Sequence, residues 1–188
     1  VSVRDRGLAY GDGVFETIAV RHCKAALLDR HLRRLLDGCR RLLIPVDEQL
    51  LREEVSAFIG QLADGVVKVL ITRGDGLRGY ALPEPQHPVR MLMSSALPAY
   101  SVVNCEQGIR LFPCATRLAE QPLLAGLKHL NRLEQVLARA EWTDPIFAEG
   151  LLRDQSGRVI EGVFSNLFLV SDGRLLTPDL SRCGVAGV

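Results

Sequence analysis

Lys128, in the run LLAGLKHLNRLEQVLARAEW, is one of only three lysines in a chain that otherwise carries its positive charge as arginine. The difference is chemical. Arginine stays protonated at any accessible pH, whereas a desolvated lysine sheds its proton and attacks a carbonyl carbon. The other two lysines have structural readings, Lys24 in the turn HCK and Lys68 inside an apolar strand pattern. His129 follows Lys128 and reads either as a proton shuttle or as an ordinary pocket histidine. Glu161 lies among Val159, Ile160, Val163 and Phe164. By pattern alone it faces solvent on a half-exposed strand; if buried, it needs a cationic partner. Arg34, in RHLRRL, sits well off the leucine stripe of its helix and by periodicity is a solvated arginine. The loop RGDGLRGY (73–80) is rich in glycine but lacks the strand-to-helix setting and the Lys-Ser/Thr ending of a nucleotide cradle, and by itself reads as a hairpin tip. Arg4, Asp5 and Arg6 read as structural salt-bridge formers.

Three longer words carry more. RDRGLAYGDGVFETIAV near the start, LKHLNRLEQVLARAE in the middle, and VIEGVFSNLFLV followed by LLTPDLSRCGVAGV at the end appear in this order. Together they resemble the class-IV family of aminotransferases that use pyridoxal phosphate, which includes D-amino-acid and branched-chain members. The middle word narrows the resemblance to the aminodeoxychorismate lyases of that family. Pyridoxal phosphate asks a protein for an amine, for an acid beside its ring nitrogen and for donors to its phosphate. The resemblance implies that Lys128 is the amine and the proton-moving base, that Glu161 is the acid, and that Arg34 is the phosphate arginine. It further implies backbone donors at Gly187 and Val188 and a supporting role for Asn166. The implied substrate is 4-amino-4-deoxychorismate, converted to 4-aminobenzoate, a folate precursor, and pyruvate. Arg78 and Tyr80 are the implied substrate contacts, reached across a homodimer interface. His129 joins them as a pocket residue. Branched-chain members usually have a tyrosine soon after the lysine, where this chain has Arg132 and Leu133. Two alternatives stay open: an amino-acid aminotransferase of the same fold, and a noncatalytic or dimerisation module in which Lys128 and Glu161 are merely paired.

These residues need elements to hold them. VFETIAV (14–20) alternates, with Val14, Ile18 and Val20 on one face and Phe15, Thr17 and Ala19 on the other, so Phe15 and Thr17 are candidate pocket-lining residues. GDG (11–13) is the tight turn before it. The leucine stripe from Leu32 to Leu43 predicts a helix capped by Asp29 and stopped by Pro45, and a second helix capped by Asp47 carries Leu50, Leu51, Val55, Phe58, Ile59 and Leu62 inward. VVKVLITR (66–73), VRMLMSSAL (89–97) and GIRLFPCA (108–115) read as antiparallel strands. Residues 131–142 read as an amphipathic helix through Leu133, Val136, Leu137 and Ala140. The turns at 155–157 and 171–173 bracket strands over 159–163 and 166–170. The expected fold is α+β. By resemblance it is the two-domain fold type IV, with an α/β N-terminal domain over 1–117 and a β-barrel-like C-terminal domain over 118–188. Both ends read as cut.

Composition bounds the rest. With 188 residues, 47% hydrophobic and 24% charged, the chain can bury a substantial core. A net charge of +1 offers no electrostatic case for nucleic acid or an anionic membrane, no apolar run approaches the length of a membrane span and no basic, apolar leader is visible, so a cytoplasmic protein with a small-molecule partner is expected. Five scattered cysteines lack the spacing of a metal site or a disulfide framework and read as mostly buried, reduced thiols.

Overall fold

The structure, a computed structural model, describes residues 1–188, which divide into two compact units. The first holds Val1–Pro98 with Lys128–Asn131 and Val188; the second holds Ala99–Leu127 and Arg132–Gly187.

In the first unit, α1 (Arg6–Tyr10) leads into β1 (Gly13–Arg21) and β2 (Lys24–Ala25), then α2 (Leu28–Arg41), α3 (Glu48–Gly60), β3 (Gly65–Thr72) and β4 (Val89–Ser95). The strands form one antiparallel sheet in the order β2-β1-β3-β4. Alternation decides its faces. Val14, Ile18, Val20, Val67, Val69 and Ile71 are buried together with Leu32, Leu35 and Cys39 of α2 and Leu51, Val55 and Ile59 of α3. Each fully buried aliphatic side chain contributes roughly 1.5–3 kcal/mol relative to exposure, so this seam is the main stabilising feature of the unit. The opposite row holds Phe15, Thr17 and Ala19, with Lys68 and Leu70 paired across from Thr17 and Phe15, and Met93 and Met91 beyond them.

Asp47 caps α3 as expected, accepting from the Leu50 amide at 3.0 Å. Asp29 does not cap α2. That helix begins one residue before it, behind Leu27 in the left-handed region, and Asp29 instead accepts from Arg52. Leu43 also leaves its stripe, because the helix has ended and a positive φ turns the side chain outward; Ile44 is buried instead. Leu50, on the first turn of α3, stays substantially exposed.

The segment Lys128–Asn131 extends the sheet's edge at the start of β1. Phe15 N donates to Lys128 O at 2.9 Å and Leu130 N to Gly13 O at 3.0 Å, around an antiparallel bridge between Val14 and His129. Lys128 is thus fixed to β1 by backbone bonds rather than carried on a helix.

The second unit contains α4 (Val102–Gln107), β5 (Arg110–Leu118), α5 (Leu133–Arg139), β6 (Phe147–Asp154), β7 (Val159–Gly162), β8 (Leu169–Ser171) and β9 (Arg174–Leu176). Its sheets, β5-β6-β7 and the β8-β9 hairpin, do not close into a barrel. The core gathers Cys114, Leu118, Ala138, Trp142, Leu152, Ile160 and Cys183, with Phe112 stacked on Trp142 and edge-on to Phe147. β5 is not antiparallel to its partner: it runs parallel to β6, and the connection between them carries α5. Parallel pairing needs such a crossover, which no hairpin turn provides. All five cysteines are free thiols, three of them buried. No helix is long and apolar enough to cross a membrane.

Candidate active site

On the open row of the first unit's sheet, Lys128 places its Nζ 4.5 Å from the centroid of the half-buried Phe15 ring. Lys68 places its Nζ 5.0 Å from the same centroid. The two amines reach Phe15 from opposite sides of β1, Lys128 from the bridged segment and Lys68 from β3. Thr17 stands two residues along the same row and is exposed. Phe15 and Lys128 are therefore brought together by one short stretch of sheet, with Thr17 two residues along the same row and His129 bridged to Val14 on the neighbouring one. An aromatic face attracts an ammonium electrostatically, so the ring fixes where the Lys128 amine stands.

Arg34 is not a solvated arginine. Its Nε and Nη2 lie 2.5 and 2.6 Å from the two carboxylate oxygens of Glu16, and His31 Nδ1 lies 2.7 Å from Glu16 Oε2. Glu16 is completely buried. Burial by itself would push the Glu16 carboxyl up, but the hydrogen bonds from His31 and Arg34 outweigh it and hold the group below the ordinary glutamate range. The bidentate clamp fixes the plane of the guanidinium, which makes Arg34 an oriented cation suited to an oxyanion. Neither Glu16 nor His31 was singled out from the sequence. Both left a signal: Glu16 falls on the apolar row between Val14 and Ile18, and a carboxylate there requires a cation opposite.

The loop after β3 is held from beneath. Arg73, almost fully buried, binds both carboxylate oxygens of Asp12, the carbonyls of Leu42 and Leu43, and Gln86. Arg6 also binds Asp12 and donates to the carbonyls of Gly79, Tyr80 and Ala81. The salt-bridge reading of Arg6 agrees with this, while Asp5 instead caps α1 and accepts from Thr72. Arg78 and Tyr80 ride on this anchored loop, both exposed, with Tyr80 tilted against Tyr10 at 5.4 Å between centroids.

In the second unit Glu161 is buried at 4% exposure on β7, so its side chain points inward and not to solvent as the strand pattern alone suggested. Its Oε2 accepts from the Val185 amide at 2.7 Å. Arg132 supplies the expected cationic influence: burial draws its pKa down while the charges of Glu161 and Glu134 draw it up. Val185 is gripped twice, because its carbonyl accepts from Asn166 Nδ2 at 2.8 Å. A side chain at Gly187 would collide with Asn166 Oδ1, 2.5 Å from where its Cβ would stand. Glu161, Asn166 and Gly187 thus share one organised turn. Val188 falls to the first unit.

One further carboxylate organises that turn and escaped the sequence reading. Glu149, buried on β6, accepts from the amides of Gly150, Val163 and Phe164 and from Ser165 Oγ. It ties down the bend between Glu161 and Asn166. Gly162 is required beside it, since a Cβ there would lie 2.8 Å from Glu149 Oε2.

Comparison with known proteins adds an independent line. The model of the amino-transferase class IV family matches residues 13–188. The chain is similar to the crystal structure of 4-amino-4-deoxychorismate lyase from Pseudomonas aeruginosa, at 65% identity and a TM-score of 0.97, covering 100% of this chain and 69% of that one. It is 38% identical to the aminodeoxychorismate lyase of Vibrio harveyi over 100% of this chain and 70% of that protein. It is also similar to the PLP-bound form of a hypothetical aminotransferase from Mycobacterium tuberculosis, at 25% identity and a TM-score of 0.73, covering 97% of this chain and 66% of that one.

Proposed function

The chain belongs to the amino-transferase class IV family, and on that footing we propose that it is a pyridoxal-phosphate-dependent lyase converting 4-amino-4-deoxychorismate to 4-aminobenzoate and pyruvate. The observation that carries the reading is the whole-chain likeness to the Pseudomonas aeruginosa lyase, around a lysine held against an aromatic ring. The residues suit the cofactor by type: a half-buried amine, a buried carboxylate and an oriented guanidinium. Lys128 would hold its aldehyde, Glu161 would keep its ring nitrogen protonated, and Arg34, Asn166 and the amides of Gly187 and Val188 would serve its phosphate and frame. When bound, pyridoxal phosphate supplies an electron sink for the carbon that bears the substrate's amine.

The protein's own groups do the rest. Lys128 takes the proton from the carbon bearing the amine, and the enolpyruvyl ether on the neighbouring carbon departs with its bonding electron pair and takes up a proton to become pyruvate. Loss of that group aromatises the ring, which makes the step effectively irreversible. Arg78, Tyr80 and His129 contact substrate in this reading, with Phe15 and Thr17 as walls. The active form is a homodimer in the cytoplasm, and its product feeds folate synthesis.

The test is pyruvate release by the cofactor-loaded chain with no keto acid present. Turnover under those conditions is expected, and strict dependence on a keto-acid acceptor would make the chain an aminotransferase instead. Lys128→Ala is expected to lose at least about a thousandfold in turnover. Borohydride is expected to bleach the wild-type chromophore with the label on Lys128; a colourless protein would leave only a binding or dimerisation role.

A further inference from the structure

The tip of the loop after β3 is shaped around one buried cation. The first half of the loop is tied by backbone, with Arg6 N donating to Gly74 O at 2.9 Å and Gly76 N to Arg4 O at 3.1 Å. The second half is tied by a side chain. There the carbonyls of Gly79, Tyr80 and Ala81 all accept from the Arg6 guanidinium, at 3.2, 3.3 and 3.2 Å. Three consecutive carbonyls aimed at one point set their negative ends against one another, so this backbone shape holds only while a donor fills it. Packing does little to replace that donor, since Leu77 and Tyr80 are 85% and 83% exposed. Gly79, at a φ of 98° with open space around it, lets the tip take other shapes once released. Arg6 itself is fixed. Its Nε donates to Asp12 Oδ2 at 2.9 Å, its guanidinium stands 5.0 Å from the Tyr10 ring centroid, and its stem runs so close to Gly76 that a Cβ there would lie 2.8 Å from Cδ.

We propose that Arg6 is a positioning residue for substrate binding: by gathering these carbonyls it presents Arg78 and Tyr80 together, as one preformed contact surface. This rests on the substrate role proposed above for that loop. Arg6 acts through the loop, because it is itself buried and its nitrogens are committed to Asp12 and to the three carbonyls. Arginine is called for at this point. A planar fork serves a carboxylate from one nitrogen and a fan of carbonyls from the other two, a span that a single ammonium does not cover. A loop latched only part of the time weakens binding in proportion to the latched fraction and leaves the chemistry of the bound complex alone.

Arg78 also makes the loop cleavable by trypsin, so latching is readable without turnover. Arg6→Lys keeps a positive charge opposite Asp12 and removes the fork. In this variant trypsin is expected to cut the Arg78–Gly79 bond at least about tenfold faster than in wild type, because cleavage follows the open population. Cutting at the exposed Arg174 of β9 keeps its rate and serves as the reference. KM is expected to rise about tenfold, with kcat within about twofold and the cofactor absorption band unmoved, the loop then being latched about a tenth of the time. Arg6→Gln is expected to move both readings further in the same direction. Wild-type cleavage at Arg78 in Arg6→Lys, or faster cleavage there with KM unmoved, overturns the proposal. So does equal acceleration at Arg78 and Arg174, which would make Arg6 a residue of general stability. The lyase reading fails separately, through absence of pyruvate release by the wild-type protein, and the tryptic ratio then still decides whether Arg6 holds the loop.

Discussion

Glu16 shows how one side chain can organise a site without touching its chemistry. Fully buried on β1, it accepts from both His31 and Arg34, which sit three residues apart on α2 and therefore present themselves on one helical face. Glu16→Gln removes the charge while keeping the shape, leaving a half-buried guanidinium facing a buried amide. A loss of about 3 kcal/mol in unfolding free energy by urea titration is expected, the usual cost of breaking a buried pair by neutralising one partner. Weaker cofactor retention should accompany it, read by dialysis, since Arg34 loses the clamp that fixes its plane. A Gln variant as stable as wild type would mean that the clamp is dispensable. At this scale the sequence was partly legible. The roles proposed for Lys128, Glu161 and Arg34 came from words shared with a family. Helical periodicity could not have chosen Arg34 among its neighbours, because its significance comes from a partner eighteen residues earlier on a strand. Glu16 was open to discovery by alternation, as a carboxylate in an apolar row.

Among the elements, those written in clean periodicity were legible. The alternation of β1 and β3 and the leucine stripe of α2 predicted the first unit's core closely. β6 was missed for a physical reason. Its buried residues include Glu149, Gly150 and Asp154 beside Leu152, so burial there does not coincide with hydrophobicity. The carboxylates are satisfied by turn amides and hydroxyls, partners that no local pattern announces. α5 fails in the opposite sense. Its stripe of Leu133, Val136 and Leu137 predicted a buried face, yet these residues are 59–75% exposed and the helix instead seats Ala138 against the core. A stripe reports that a face is apolar, and only the tertiary structure says whether anything covers it. The two kinds of leucine should separate in measurement. Leu152→Ala, emptying a site with no exposure, is expected to cost about 3 kcal/mol. Leu137→Ser is expected to stay within about 0.5 kcal/mol. Equal losses in urea unfolding would mean that the face of α5 is covered in solution.

Across the whole molecule, burial of ionisable groups sets the pH range in which the fold is stable. Desolvation would push up both the half-buried Asp12 and the fully buried Glu16, yet both are held below their ordinary values by hydrogen bonds and charges acting together, from Arg73 and Arg6 in one case and from His31 and Arg34 in the other. A depressed folded-state pKa means that the unfolded chain binds more protons in acid, so the stabilisation is complete above the ordinary values of 3.8 and 4.5 and drains away as pH falls through the lowered ones. The alkaline side is governed by thiols. Desolvation pushes Cys39 up to about 12 and Cys183 to about 11, against an ordinary value of 9.0. A raised folded-state pKa keeps the proton on in the native state while the unfolded thiol gives it up, so this contribution is intact below pH 9.0 and is lost as pH climbs toward the folded values. Unfolding free energy against pH should therefore show a plateau bounded by an acid limb from buried carboxylates and an alkaline limb from buried thiols. Asp12→Asn combined with Glu16→Gln is expected to lower the plateau and flatten only the acid limb. Cys39→Val is expected to reduce only the alkaline one, Cys183 supplying the remainder. Urea titrations across the range measure both limbs. An acid limb of undiminished slope in the double variant would locate the acid sensitivity in groups other than Asp12 and Glu16.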